Sequence, residues 1–131
     1  MHTLLNPEGW VRPRGYANGV AAAGRHIFVG GQIGWNGQQQ FETDDLAGQV
    51  RQTLQNIIEV LATAGAGPAH ITSLTWYVTD IEAYRNELKA IGTAYREVIG
   101  RHFPAMAVVQ VLALVERRAK VEIQAHAVIP E

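Results

Sequence analysis

The last alternating segment of the chain places several polar side chains on one side of a predicted strand. In KVEIQAHAV the apolar residues face one way and the polar residues face the other: Val121, Ile123, Ala125 and Ala127 against Lys120, Glu122, Gln124 and His126. A carboxylate such as that of Glu122 can accept a proton from water or orient it. His126 could carry a proton near neutral pH. The spacing suits equally a solvent-facing or interface glutamate and a hydrogen-bonded structural histidine.

A glycine-rich turn, Gly30 to Gly34 (GGQIG), is the second feature that could take part in chemistry. Main-chain N–H groups in such a turn can point at a developing oxyanion. The glycines could also be needed only for a tight path of the backbone. Trp35, which follows the turn, could form one wall of a cleft or simply shield the loop.

The other chemically active residue types are sparse. The chain has no cysteine, which excludes a disulfide framework, a thiol nucleophile and a cysteine zinc site. Its five histidines are scattered without the close spacing of local metal motifs. No metal or cofactor is expected.

Composition limits the class of protein. With 131 residues, 47% hydrophobic and 18% charged, the chain is expected to form a single globular domain, residues 1–131. A net charge of -1 disfavours a nucleic-acid partner, because phosphate binders usually carry a basic excess. The N-terminus has no apolar run typical of a signal peptide, and no segment is apolar enough to span a membrane. A cytoplasmic protein without a membrane partner is therefore expected.

Hydrophobic periodicity predicts the elements that must position these residues. Residues 17–23 and 25–33 are apolar runs separated by Gly24 and suggest a hairpin, while 43–64 and a segment from Asp80 to about Gly100 show helical spacing. Residues 71–78 and 120–128 alternate as strands. Residues 105–115 are almost wholly apolar, which indicates a strand buried on both faces.

The predicted order is β-β-α-β-α-β-β, an α+β domain with two helices on one face of a mixed sheet. Two helices leave the other face of the strand at 105–115 without cover. A second copy of the chain would supply that cover, so we expect a homo-oligomer.

Five segments in this order resemble the Rid (YjgF) family, also known by the label endoribonuclease L-PSP. The similar segments are GYANGV (15–20), FVGGQIG (28–34), LTWYVTDIEAY (74–84), HFPAMAVVQV (102–111) and KVEIQAHAV (120–128). The resemblance covers almost the whole chain. It implies a chorismate-mutase-like fold and a homotrimer with clefts between subunits.

The resemblance also implies a chemistry, the hydrolysis of reactive 2-imino or enamino acids to keto acids and ammonia. In that family an arginine after F-P-A binds the substrate carboxylate, and a glutamate in the last strand is associated with the attacking water. Glu122 stands at the position of that glutamate, and Tyr16 matches a family tyrosine. Main-chain groups of Gly31 and Ile33 would help to hold the ligand.

This chain departs from the family pattern at the substrate-binding arginine. Met106 occupies that position, and a thioether offers neither charge nor paired donors to a carboxylate. Gly30 replaces a serine, Gly34 a proline, and Gln124 an acid. The cleft is thus expected to be apolar near Met106, although a methionine on such a strand is most often core filler.

Several residues have an ordinary interpretation beside the functional one. Tyr16 could contact a ligand or simply pack at a strand entrance. Three arginines could replace the missing anion donor, although each also suits a solvated loop: Arg14, Arg117 and Arg118.

Three functions stay open. The first is a hydrolase or deaminase of an enamine, imine or related labile metabolite that acts poorly on 2-imino acids, with Glu122 as the catalytic group. The second is a non-catalytic trimer that binds or senses a metabolite. The third, favoured least, is an endoribonuclease or translation inhibitor, for which a basic stripe and paired histidines are missing from the sequence.

Overall fold

The computed structural model describes residues 2–131. Along those residues the elements occur in this order: β1 (Thr3–Leu5), β2 (Gly19–Ala21), β3 (Arg25–Ile33), α1 (Leu46–Thr63), a short 3₁₀ turn (Pro68–His70), β4 (Ile71–Val78), α2 (Ile81–Asn86), α3 (Leu88–Val98), β5 (Ala105–Gln110) and β6 (Val121–Ile129).

The main sheet is mixed and has the strand order β3-β6-β4-β5. β4 and β5 run parallel, whereas β6 is antiparallel to both β3 and β4. α1 and α3 pack together on one face of this sheet, and the core lies between them and the strands. The predicted α+β class with helices on one face is therefore confirmed.

α1 shows why the helical prediction for residues 43–64 was nearly right. Asp45 caps the helix because its carboxylate accepts a hydrogen bond from the N–H of Gly48 at 2.8 Å. The predicted stripe is fully buried at Leu54, Ile57 and Leu61. Gly65 ends the helix with a φ of 76°, a conformation that glycine adopts at little cost.

The second predicted helix is divided into α2 and α3 at Glu87. Asp80 caps α2 as predicted, through a 3.1 Å hydrogen bond from the N–H of Ala83. Glu87 leaves the helical region (φ -110°, ψ 18°), so the stripe of apolar residues does not continue straight. No glycine or proline marks this break, and the prediction of two helices was wrong for that reason.

The predicted hairpin of residues 17–23 and 25–33 was also wrong. β2 pairs with β1, near the N-terminus, and not with β3. Gly24 serves another purpose: its φ is 145°, and a Cβ at this position would overlap the carbonyl oxygen of Ile129. It allows the chain to pass close to the end of β6.

The strand predicted at residues 105–115 ends at Gln110 and is not buried on both faces. In the main sheet β5 lies at the edge beside β4, which itself ends at Val78, and the last contact is a 2.9 Å hydrogen bond from Val111 N–H to the Val78 carbonyl. Beyond it Leu112 and Val115 are almost fully exposed. Apolar composition alone did not reveal where the neighbouring strand stops.

The face of the sheet opposite the helices is open in the protomer. β6 follows the predicted alternation, with Val121, Ile123 and Ala125 in the core and Glu122 and Gln124 on the open face. Phe28 on β3 is 76% exposed on that face. Among the described residues, no helix is long and apolar enough to cross a membrane.

Candidate functional site

Glu122 lies on the open face of the sheet, between β3 and β4. In the strand register it stands opposite Ile33 on one side and Tyr77 on the other. Its carboxylate lies directly over Gly31, because a Cβ on that glycine would overlap Glu122 Oε2. The side chain is half-buried, and it forms no hydrogen bond or ion pair with the residues the structure describes. It is a carboxylate available to water or to a ligand.

The backbone beneath Glu122 is a β-bulge. The pairing of β3 with β6 shifts between Val29 and Gln32, so Gly30 and Gly31 have no partner in the register. A bulge releases main-chain groups from the ladder and re-aims neighbouring side chains. The Gly30 carbonyl accepts the Gln32 side-chain amide at 3.2 Å.

The continuation of the glycine turn is held by α1. Asn56 donates its side-chain amide to the carbonyls of Ile33 at 3.0 Å and Trp35 at 2.7 Å. Trp35 packs its ring against Phe41, with centroids 5.9 Å apart, inside its own loop. Gly34 is buried, and a Cβ there would come within 2.6 Å of Gln49 Cβ. The turn is thus tied to the helix layer.

Met106 belongs to a different region, on the helix side of the sheet. Its register partner on β4 is Leu74, whose side chain is in the core. With Tyr16 and Arg14 it lines a cavity of about 530 Å³ between β5, α2 and α3. Ala17 forms a bridge to Ala105, which places Tyr16 beside the first residues of β5.

The wall of this cavity is aromatic. Trp76 stacks on Tyr95 with centroids 6.4 Å apart and meets Tyr84 edge-on, while Tyr95 stacks on Phe103 at 5.6 Å. Burial raises the pKa of both Tyr84 and Tyr95, so the phenols stay neutral donors at physiological pH. The hydroxyl of Tyr95 donates to the His102 carbonyl at 2.6 Å.

The candidate residues therefore form two separate groups. Glu122, Gly31 and Ile33 lie at the β3–β6 end of the sheet, whereas Met106, Tyr16 and Arg14 lie at β5, the opposite edge. Glu122 is on the open face and Met106 on the helix face. One small ligand does not touch both groups of the same protomer.

The remaining candidates lie elsewhere. Arg118 pairs with Asp44 at 2.9 Å and its guanidinium lies over the Phe41 ring at 5.2 Å. Arg117 is exposed and outside both groups. His126 faces His26 across β3 and β6, with Nε2 of the former 2.9 Å from Nδ1 of the latter. Burial and the neighbouring His26 lower the pKa of His126.

Sequence reasoning missed Tyr77 beside Glu122. It placed Trp76 and Tyr95 correctly on apolar faces, where both are buried, but gave no sign that they border a cavity. Alternation on β4 placed Tyr77 opposite Trp76, but the strand register that brings it to Glu122 is not visible in one sequence. Arg96, which also lines the cavity, gave no signal at all. Within residues 2–131 no group of three or more His, Cys, Asp or Glu side chains is placed to hold a metal ion.

A family comparison shows to which family the chain belongs. The model described as Endoribonuclease L-PSP matches residues 11–129. The chain belongs to this family, the Rid (YjgF) family. The recognition made from five short segments is confirmed.

Rid-family relatives include proteins named for an activity. The chain is 30% identical over 105 residues to a 2-iminobutanoate/2-iminopropanoate deaminase from Homo sapiens, covering 79% of this chain and 73% of that one. It is 32% identical over 116 residues to a protein of the same name from Escherichia coli K12, covering 86% of each.

A solved structure matches almost the whole length of the chain. A protein of unknown function of the conserved Rid family from Yersinia pestis is 30% identical, covers 98% of both chains and superposes with a TM-score of 0.85. The Rid fold is thus shown for this chain.

Proposed function

We propose that this Rid protein is a hydrolase or deaminase that acts on an enamine, an imine or a related labile metabolite in clefts between the subunits of a homotrimer. The observation that carries the proposal is the half-buried Glu122 carboxylate, which lies over the Gly31 bulge without a partner among the described residues. A carboxylate so placed can accept a proton from water beside free main-chain groups.

The chemistry is a hydration followed by loss of ammonia. Glu122 accepts a proton as the water oxygen bonds to the protonated imine carbon, and the C=N electron pair moves to nitrogen. The nitrogen of the resulting amino alcohol takes up that proton from Glu122, and the C–N bond then breaks so that ammonia leaves with the bonding pair. The hydroxyl proton passes to the Glu122 carboxylate, and a carbonyl compound is left. Main-chain groups of Gly31 and Ile33 would hold the ligand, while Tyr16 of a neighbouring subunit contacts it.

The placement of the two residue groups supports an inter-subunit cleft. Glu122 lies on the interior strand β6 and on the open face, whereas Met106 lies on the edge strand β5 and on the helix face, so a site that uses both groups needs two protomers. The uncovered sheet face with its exposed Phe28 and Val109 is a surface that another copy can bury.

Met106 makes simple 2-imino acids poor substrates. A methionine supplies no charge to a carboxylate, and the loss of a charge-assisted contact costs about 2–5 kcal/mol. That corresponds to about 30-fold or more in rate. Decay of 2-iminopropanoate should therefore be accelerated far less than by an arginine-bearing relative assayed in parallel. Equal rates would show that another group binds the carboxylate.

The decisive variant is Glu122→Gln. Glutamine keeps the shape but cannot accept the proton, so turnover of any substrate found should fall by about 10²-fold or more. Glu59→Gln, the same change at an exposed residue of α1, is the control and should leave turnover unaltered. Full activity of Glu122→Gln would assign the residue a structural role.

The second candidate function is metabolite binding without turnover. The cavity that contains Met106 favours it, since no aspartate or glutamate is among the residues that line it. Tight binding of a ligand that is recovered chemically unchanged after incubation with the protein would support this function over the hydrolase.

A further inference from the structure

The cavity beside Met106 is larger than a 2-imino acid of three or four carbons requires. Its volume of about 530 Å³ falls in the range that accommodates metabolites with a ring or a long apolar group. Leu88, the first residue after the break at Glu87, lies on its rim and is 54% exposed. A three-carbon ligand would leave most of this space unfilled.

The inner wall of the cavity suits a planar apolar group. Phe103 stacks on Tyr95, which stacks on Trp76, with successive centroids 5.6 and 6.4 Å apart. Trp76 and Tyr95 are almost fully buried behind this wall, and the half-buried Phe103 and Tyr84 present its aromatic surface. Leu88, Ile91 and Met106 complete the lining with aliphatic and thioether surface. Rings bind such walls by offset stacking and edge contacts, and Met sulfur adds favourable contacts with aromatic rings.

The rim of the same cavity carries positive charge that nothing nearby neutralises. Arg14 and Arg96 both line it, and its lining contains no acidic residue. Arg96 makes one long contact, 3.5 Å to Thr93 Oγ1, whereas Arg51, Arg85 and Arg118 are each paired with a carboxylate. Arg14 has no hydrogen bond or ion pair within the described part of the chain. Two guanidinium groups with unused donors favour an anion.

We propose that this cavity binds a metabolite with an aromatic or large apolar body and one anionic group. The body packs against Tyr84, Leu88 and Phe103, and the anion lies at Arg14 and Arg96. The anion contact has moved from the β5 position, now Met106, to the rim. As a statement about substrate, the inference rests on the proposed function, since it requires that this cavity receive the substrate of the Glu122 site.

Calorimetric titration of the full-length protein with three probes tests the binding. The probes are 3-phenylpropanoate, which has both features, propanoate, which has only the anion, and 3-phenylpropan-1-ol, which has only the ring. We expect 3-phenylpropanoate to bind at least about tenfold more tightly than either of the others, the effect of one charge-assisted contact or one buried ring. Equal affinities, or no binding of 3-phenylpropanoate at millimolar concentration, would overturn the proposal.

Arginine variants locate the anion contact. The double variant Arg14→Gln/Arg96→Gln should remove the preference for the acid over the alcohol and leave the affinity for the alcohol unchanged. Arg117→Gln, at an exposed arginine outside the cavity, is the matched control and should keep the preference. A preference that survives the double variant and falls with Arg117→Gln would place the anion elsewhere and sink the proposal.

Turnover separates this inference from the proposed function. If 3-phenylpropanoate binds as expected but neither aliphatic nor aromatic imines are hydrolysed, the binding site stands and the hydrolase is wrong. If imines are hydrolysed and 3-phenylpropanoate does not compete with them, the hydrolase stands and the assignment of this cavity is wrong.

Discussion

The glycine beneath the Glu122 carboxylate is constrained by that side chain and not by its own backbone. Gly31 does not have a positive φ, so other residues could adopt its conformation. What it excludes is a Cβ, which would overlap Glu122 Oε2. The obstructed atom is the end of a flexible side chain, so substitution would move the carboxylate and spare the strand.

Gly31→Ala should therefore lower turnover by about 10²-fold, as much as removing the carboxylate, with little change in melting temperature. Gly30→Ala is the neighbouring control, because a Cβ on Gly30 meets no atom within 4 Å. Measurement of kcat and thermal unfolding for both variants checks the prediction. If Gly31→Ala turns over normally, the position of Glu122 over the bulge is irrelevant to catalysis.

At the scale of elements, one buried amide of α1, that of Gln49, joins the helix to the segment that leads into the last strand. Gln49 Nε2 donates to the carbonyls of Arg118 at 3.0 Å and Thr43 at 3.2 Å, and its Oε1 accepts the N–H of Lys120 at 2.8 Å. Its side chain also fills the space that Gly34 leaves. One side chain thus fixes the approach to β6 relative to the helix.

Gln49→Leu should lower the free energy of unfolding by about 1–3 kcal/mol, since it leaves main-chain groups without partners at similar volume. Gln55→Leu, at an exposed position of α1, is the control and should change stability by less than about 0.5 kcal/mol. Urea denaturation of the two variants measures both values. Equal stabilities would mean that water replaces the amide at no cost.

The contact between His26 of β3 and His126 of β6 on the open face makes the folding stability of the protein depend on pH. His126 forms a hydrogen bond with His26, and the Phe28 ring stacks on the His126 ring with centroids 4.5 Å apart. Ser73 of β4 and Glu122 of β6 lie on the same face of the sheet as His126. The pKa of His126 lies below its usual 6.5, so the unfolded chain binds the proton more tightly. Its contribution to stability is complete above pH 6.5 and is lost as pH falls through the lower folded pKa.

Urea midpoints should accordingly decrease between pH 7.5 and pH 5, and the decrease should be smaller in His126→Gln. The comparison of slopes isolates this residue from the carboxylates that titrate at lower pH. An identical slope in the variant would show that the His26–His126 contact does not contribute.

Local periodicity predicted some of these elements well and could not predict others. The strand at Ile71–Val78 was predicted with its observed bounds, because its alternation is complete within eight residues. The pairing of β2 with residues 3–5 and the early end of β5 depend on distant strands, so pattern reasoning failed there. For the site, alternation gave the correct face for Glu122. Its contact with Gly31 depends on the register of β3 and β6, and the aromatic cavity depends on the packing of segments that are distant in the sequence.

At the scale of the whole molecule, the open sheet face is the basis for the predicted trimer. Phe28, Val109 and the exposed Ala107 lie on it without cover from the helices. Sedimentation equilibrium at micromolar concentration should give three times the mass of the 14.4 kDa chain. A stable, well-folded monomer would contradict both this prediction and the shared cleft.

Glu122 on β6 and the aromatic cavity beside β5 lie on opposite faces of the sheet, and this has a consequence for mixed trimers. Two inactive variants should restore activity when they are combined in one trimer. One variant carries Glu122→Gln, and the other carries a change that blocks the cavity, such as Gly92→Trp. Each variant should be inactive as a homotrimer. When the two variants are unfolded together and refolded, each mixed trimer contains one cleft in which neither contributing region is mutated. That cleft combines Glu122 of a Gly92→Trp subunit with the unblocked cavity of a Glu122→Gln subunit. Activity should reappear in the mixture and be absent when the same preparations are combined without unfolding.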